Sequence, residues 1–377
     1  MSFRVKFRNG SQGLSLVELL VAIALGAILM AGAISLFINN RDTYKVTNEL
    51  SRLQETARYA LDMMVKDIRM AGYFGCADRL DTVTVNIPVP DEEIGSLWDF
   101  NLDTGAGTIV PPIEGMDSDV VEDGFQPSGF EVTVGSNGLA GEVLADTDAI
   151  AIRYIAGNMN DVAPANGTLD YQVTANATSG SNSIITVDST AGFASAQVAA
   201  VADCGGSDIF QISDAPTETT VEANELSRGY KATSSPIIAP LVGVRYYIGD
   251  NGRGPNGEVH PSLYRTIITP GALTETNQEL FEGVERMHIL YGVDSDDDGA
   301  PNSYVAAGVE PLDAGSPPTN WANVVSVRIG LVVRTVDEHG RDPDTTEYPV
   351  NDKTFTPDGD HRQRRVFTTT AMVRNLS

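Results

Sequence analysis

The feature that most constrains this chain is the run Leu14–Ile38, LSLVELLVAIALGAILMAGAISLFI, which holds a single charged residue, Glu18. As a helix rising about 1.5 Å per residue it spans roughly 37 Å, more than a hydrocarbon core of about 30 Å. Arg4, Lys6 and Arg8 precede it with no acidic residue among them. That asymmetry keeps the N-terminus in the cytoplasm and exports the remainder of the chain. A carboxylate in hydrocarbon costs about 2.5 kcal/mol or more, so Glu18 requires a reason. A cleaved secretory signal would have an apolar region of about 7–15 residues followed by a small-residue site. Here the small residues of AGAIS lie inside the run, and helical character continues beyond it. An ordinary single-pass anchor fits the length but leaves Glu18 as a side chain snorkelling to the interface.

Beyond the run, Leu50, Leu53, Ala57, Ala60, Leu61, Met64 and Ile68 recur at spacings of three and four, the stripe of an amphipathic helix. No proline occurs before Pro88. One helix from Leu14 to Ala71, about 87 Å long, is predicted, with Gly72 as its stop. Its Met64, Ile68 and Met70 side is expected to pack under a sheet. From Cys76 the pattern changes to short β-rich runs punctuated by Gly, Pro, Asn and Asp. Expected strands include 82–89, 130–134, 148–156, 183–188, 209–213, 242–249, 262–268, 287–293, 323–335 and 365–375, several with period-two alternation. Residues 157–235, rich in Ala, Thr, Ser, Asn and Gly, read as an inserted β subdomain or elaborated loops. The fold class expected is α+β: a long N-terminal helix packed on an antiparallel β-rich head over 76–377.

The net charge of −26 argues against nucleic-acid binding and suits a soluble surface outside the cytoplasm. The only cysteines, Cys76 and Cys204, both fall on the exported side, where disulfides persist. Two buried thiols are the alternative; the expectation is a bond that ties the helix end to the head and closes a loop worth roughly 4–5 kcal/mol. The four histidines are scattered and no C-x-x-C occurs, so zinc is not expected.

The segment Asp294-Ser295-Asp296-Asp297-Asp298-Gly299 matches the opening of a calcium loop, with Asp294, Asp296 and Asp298 at alternate positions and a glycine at the turn. Val305 stands where an EF-hand needs its bidentate Glu, so a complete EF-hand is excluded. Two readings stay open: a shorter calcium loop borrowing a distant ligand such as Glu310 or Asp313, or a solvated acidic turn. Ca2+ is the only cofactor considered, and none is required. Nucleophile-elbow, HExxH and P-loop motifs are missing, and the Asp358, Asp360 and His361 group sits in a polar turn, so an enzyme is not expected.

Gly13 followed by Leu14-Ser15-Leu16-Val17-Glu18 resembles the signal of type IV pilins and type II secretion pseudopilins. That resemblance implies cleavage by a prepilin peptidase between Gly13 and Leu14, methylation of the Leu14 amine, and a role for Glu18 in assembly. A bare buried charge is costly and a paired one much less so, so Glu18 would meet the Leu14 amine of a neighbouring subunit. The parts of the chain become a leader over 1–13, a membrane and assembly half over 14–38, and an amphipathic half over 39–75. Losing three of the 25 basic residues would leave 22 against 51 acidic ones, a net of −29.

The pieces VRYYIGDNG, SLYRTII, LFEGVERMHILYGVDSDDDG, ANVVSVRIGLVVRT and RRVFTTTAMVRN together resemble the PilW family of minor pilins. The resemblance implies a pilin-like fold and a subunit that helps initiate a type IV pilus at or near its tip, supporting adhesion and twitching motility. Implied partners are other minor pilins, the major pilin, the prepilin peptidase, the inner-membrane assembly platform and a tip adhesin. The implied location is the inner membrane with the head periplasmic, then the fibre tip. ELFEGVERMHILYG also resembles the GspJ-like pseudopilins of type II secretion. A membrane-anchored surface binding module is the alternative of a different class.

Overall fold

The structure, a computed structural model, describes residues 15–76, 82–87, 111–117, 144–155, 171–190, 192–254, 257–269, 274–312, 318–338 and 342–375. The strand expected over 130–134 lies outside these residues. The chain divides into two units, Met1–Arg52 and Leu53–Ser377. One helix, α1 (Leu16–Met70), carries residues of both.

In the second unit α1 is held by the stripe the sequence shows. Leu53, Ala57, Ala60, Met64 and Ile68 are buried in one cluster with Ile150, Val244, Ile289 and Ile329. The two alanines matter as much as the larger residues, because small side chains let the helix backbone approach the sheet. Gly72 ends the helix as expected, in the left-handed region at φ 72°. Asn375, near the other end of the chain, donates its side-chain amide to the carbonyls of Arg69 and Ala71 at 3.2 and 3.1 Å. Those carbonyls have no partner within the helix, so this side chain serves as its C-terminal cap.

The head is built on two larger sheets. The first contains β1 (Val83–Asn86), β2 (Ile113–Met116), β3 (Ala149–Ile155), β4 (Tyr171–Gln172), β6 (Val198–Asp203), β7 (Gly206–Gln211), β9 (Ile237–Asp250), β10 (Pro261–Thr269) and β11 (Thr274–Glu282). The second orders β13 (Ser303–Val305), β12 (Val284–Val293), β14 (Val324–Arg334) and β17 (Arg364–Met372). Two hairpin-like pairs complete the described strands: β5 (Gly180–Thr186) with β8 (Thr220–Leu226), and β15 (Tyr348–Val350) with β16 (Lys353–Phe355). Pairing is antiparallel as expected, except that β1 runs parallel to β7.

Side chains obey the period-two rule and so sort into separate cores. Ile150, Ile152 and Tyr154 of β3, with Val242, Val244, Tyr246 and Ile248 of β9, face the helix core. Ala149, Ala151, Leu241 and Tyr247 point to a second cluster on the opposite face. The segment 157–235 supplies β4–β8. A third cluster gathers Phe210, Val221 and Tyr230 of this segment with Ile238 of β9, and β6 pairs with β9. Within its described residues, the segment extends the main sheet as well as supplying most of that cluster. The 3-10 turn Pro318–Asn323 precedes β14 and carries Trp321, which packs edge-on at 4.9 Å from Tyr291.

Candidate functional site

Gly13 and Leu14 lie outside the described residues. At the start of α1, Ser15 Oγ accepts the Glu18 backbone N–H at 3.1 Å. Ser at the cap and Glu three residues on is the sequence of a capping box, and the acidic side chain also suits the positive end of the helix dipole. The apolar residues of the first half of the helix are left uncovered by the chain: Leu16 and Leu29 are each 74% exposed. The helix is long and apolar enough to cross a membrane, and none of its most apolar stretch is buried. Such a surface requires lipid or neighbouring helices to cover it.

The helix–head junction is fixed by polar as well as apolar contacts. Asp67 is 1% exposed on the buried side of α1. Tyr246 donates its hydroxyl to Asp67 Oδ2 at 2.5 Å, and Arg265 Nη2 lies 3.1 Å from the same oxygen. Burial pushes the Tyr246 hydroxyl far up, and the Asp67 charge pushes it further, so it remains a donor. Sequence reading missed this clamp. The available signal was an acidic residue three positions after Met64 and next to Ile68, inside the apolar stripe.

Just past the helix, Cys76 and Cys204 form the expected disulfide with Cα atoms 4.6 Å apart. Cys204 sits in the turn between β6 and β7, where the Asp203 carboxylate receives the Gly205 N–H at 2.9 Å. Arg228 pairs with the same carboxylate, and Ser234 Oγ donates to it at 2.9 Å. Burial alone would raise the Asp203 carboxyl, but the Gly205, Ser234 and Arg228 contacts outweigh it and hold the carboxyl below its usual range. Gly75 lets the chain pass: its φ is +98°, and a Cβ there would sit 2.3 Å from the Ala202 Cβ.

The acidic segment forms the turn between β12 and β13. Asp294 Oδ1 receives the N–H groups of Asp296 and Asp297 at 3.2 and 2.8 Å, and Oδ2 receives that of Gly299 at 2.7 Å. Burial works to raise its carboxyl, yet these backbone donors prevail and hold it low. Asp297 and Gly299 take positive φ, 59° and 82°, which folds the turn tightly. Asp294, Asp296 and Asp298 each offer an oxygen within 4.8 Å of the others, so the structure gathers the three predicted residues. Glu310 is exposed and is not among the residues gathered there, and Asp313 lies outside the described residues. Of the polar turn near the end of the chain, Asp358 is exposed, while Asp360 is bound to Arg364 at 2.6 and 2.7 Å.

Comparison with protein families gives two matches. The prokaryotic N-terminal methylation motif matches residues 8–34, which include Gly13, Glu18 and α1 as far as Ile34. The family described as type IV pilus-assembly protein W, PilW, matches residues 245–375, from the middle of β9 to the Asn375 cap. No curated protein and no solved structure was found to match the chain. The methylation motif, the apolar helix and the β-rich head are together consistent with a subunit of the type IV pilin kind. Over residues 245–375 the chain is similar to the PilW family, and together with the methylation motif this supports a PilW-like, type IV pilus-associated minor pilin.

Proposed function

We propose that this chain helps to initiate type IV pilus assembly and takes a place at or near the tip of the fibre. Before assembly it spans the inner membrane once, its N-terminus cytoplasmic and its head periplasmic. Prepilin peptidase cuts between Gly13 and Leu14. Glu18 then meets the Leu14 amine of a neighbouring pilin, which sets the axial register of the packed helices. Its partners are other minor pilins, the major pilin, the assembly platform and a tip adhesin, and through them it supports adhesion and twitching. The role is structural, not enzymatic.

The observation that carries this reading is an apolar helix with exposed side chains and one carboxylate retained in its first turn. The test is Glu18→Gln, which removes the charge but leaves the Ser15 cap and a helix-forming residue in place. Cleavage is expected to remain normal while incorporation into pili, read by immunoblot of sheared fibres, falls sharply. Wild-type piliation and incorporation in this variant would refute the pairing.

The acidic turn supports a second element of the proposal, a Ca2+ ion held by Asp294, Asp296 and Asp298. Three carboxylates already gathered on a strongly acidic chain repel one another, and an ion would replace that repulsion with a constraint on the turn.

A further inference from the structure

A charged cleft of about 1000 Å3 lies between β12 and the β15–β16 hairpin, near the upper end of the roughly 300–1,000 Å3 found for ligand sites. The hairpin is seated on the four-stranded sheet. Asn351 Nδ2 donates to the His288 carbonyl at 2.6 Å, and Gly330 leaves room for Val350, whose Cγ1 would be 2.4 Å from a Cβ at that position. Lys353 and Phe355 therefore face Arg286 and His288 across the cleft.

Most charges here are already matched. Buried Glu285 receives Arg364 Nε at 2.6 Å and Nη2 at 3.0 Å, and Arg334 Nη1 at 3.2 Å. Asp360 takes further Arg364 donors, so neither guanidinium is open to a new anion. Arg286 differs. Its Nη1 donates to the Glu285 backbone carbonyl at 2.9 Å, its guanidinium carbon stands 4.7 Å from the centroid of the Phe355 ring, and its Nε meets no acceptor. It has no ion pair with a carboxylate among the described residues, in a chain with 51 acidic against 25 basic residues. With Nη1 occupied and Nε buried, Nη2 is the guanidinium nitrogen left to meet a carboxylate.

The second observation is independent. β16 pairs with β15 and with no other strand among the described residues. Val350 and Lys353 close the hairpin around Asn351 and Asp352, so Pro349 and Thr354 form the next, non-hydrogen-bonded pair. Proline has no N–H to offer there. The N–H and C=O of Thr354 therefore point away from β15, on the exposed edge that borders the cleft.

We propose that this cleft receives an extended peptide segment of another polypeptide. The segment pairs with the Thr354 edge and places a carboxylate on Arg286. In such pairing, the side chains next to the residue opposite Thr354 project on the same face as Lys353 and Phe355, which is where Arg286 lies. The exposed rim carboxylates Asp146 and Asp358 disfavour a polyanion, so one acidic residue between neutral β-forming residues is the fitting ligand. This goes beyond the assembly role above and does not rest on it.

The test is calorimetric titration of the full chain in detergent micelles with acetyl-Val-Glu-Val-Thr-Val-amide. Its Gln analogue, a backbone N-methylated analogue and galacturonic acid serve as comparison ligands. Saturable binding of the Glu peptide is expected, weakened at least about tenfold by the Gln analogue and by Arg286→Ala, and weakened by N-methylation. Equal binding of the Glu and Gln peptides overturns the role of Arg286, and indifference to N-methylation overturns strand pairing. Absence of peptide binding at about 5 mM, with or without binding of the acidic sugar, overturns the proposal as a whole. The peptide analogues judge it on unaltered protein, independently of how the variant folds.

Discussion

Removing the Asp67 carboxylate tests how the helix is locked to the head. Asp67 and Arg265 have side chains only 2% exposed, and Tyr246 completes the group with its hydroxyl. Asp67→Ala leaves a guanidinium and a phenol buried around the missing charge. Breaking a buried ion pair from one side costs about 3–5 kcal/mol, because the remaining charge is uncompensated. At about 2–4 °C per kcal/mol for a domain of roughly 150–250 residues, melting should fall by roughly 6–20 °C, toward the lower end for a head this large. The pair itself contributes much less, since its attraction is offset by desolvation. Asp67→Leu with Arg265→Met should therefore recover most of the loss. Urea unfolding followed by tryptophan fluorescence and near-ultraviolet circular dichroism reads both variants. A loss below about 1 kcal/mol for Asp67→Ala, or a double variant as unstable as the two single changes added, would refute the account.

Gly75→Ala places a methyl group against Ala202 on a backbone at positive φ, so it should lower disulfide yield and stability together; non-reducing mass analysis and thermal melting check this. Asp203 has its folded pKa held below the ordinary 3.8, so its contribution is present above that value and is lost as pH falls through the folded pKa. Asp203→Asn should accordingly flatten the dependence of stability on pH below about pH 4, and an unchanged slope would count against the Arg228 and Gly205 contacts. For the acidic turn, melting should rise with about 5 mM calcium relative to chelator, and the rise should vanish in Asp296→Asn/Asp298→Asn; identical melting in the two conditions leaves a solvated turn.

The local features were legible because each depends on residues close in sequence. The uncovered apolar run, the 3–4 spacing from Leu53 to Ile68, the Gly72 stop and the Asp294–Gly299 turn are patterns of propensity and periodicity over short windows. The alternation of β9, β12 and β14 also shows which side chains face inward. The expected Cys76–Cys204 bond needed only a count of cysteines and the direction of export. Harder to see were β2, β6 and β8, whose sequences IEGM, VAAVAD and TVEANEL carry weak strand signals and become strands through their partners. Residues 157–235 read as an insertion because composition cannot show that β6 would pair with β9.

Legible in the sequence alone was the kind of chain this is: an apolar helix that keeps one carboxylate near its start, followed by a β-rich head. Tertiary structure alone decided which distant polar groups meet. Asp67 with Arg265, Glu285 with Arg364, Asn375 with the helix end, and Arg286 beside the open edge of β16 are pairs brought together by strand order and register. The physical reason is that hydrophobic burial is non-directional, so many registers satisfy a given apolar pattern. A buried charge or open N–H tolerates few, because its partner must arrive at hydrogen-bond distance. Those partners lie up to 306 residues apart along the chain, beyond the reach of any local pattern.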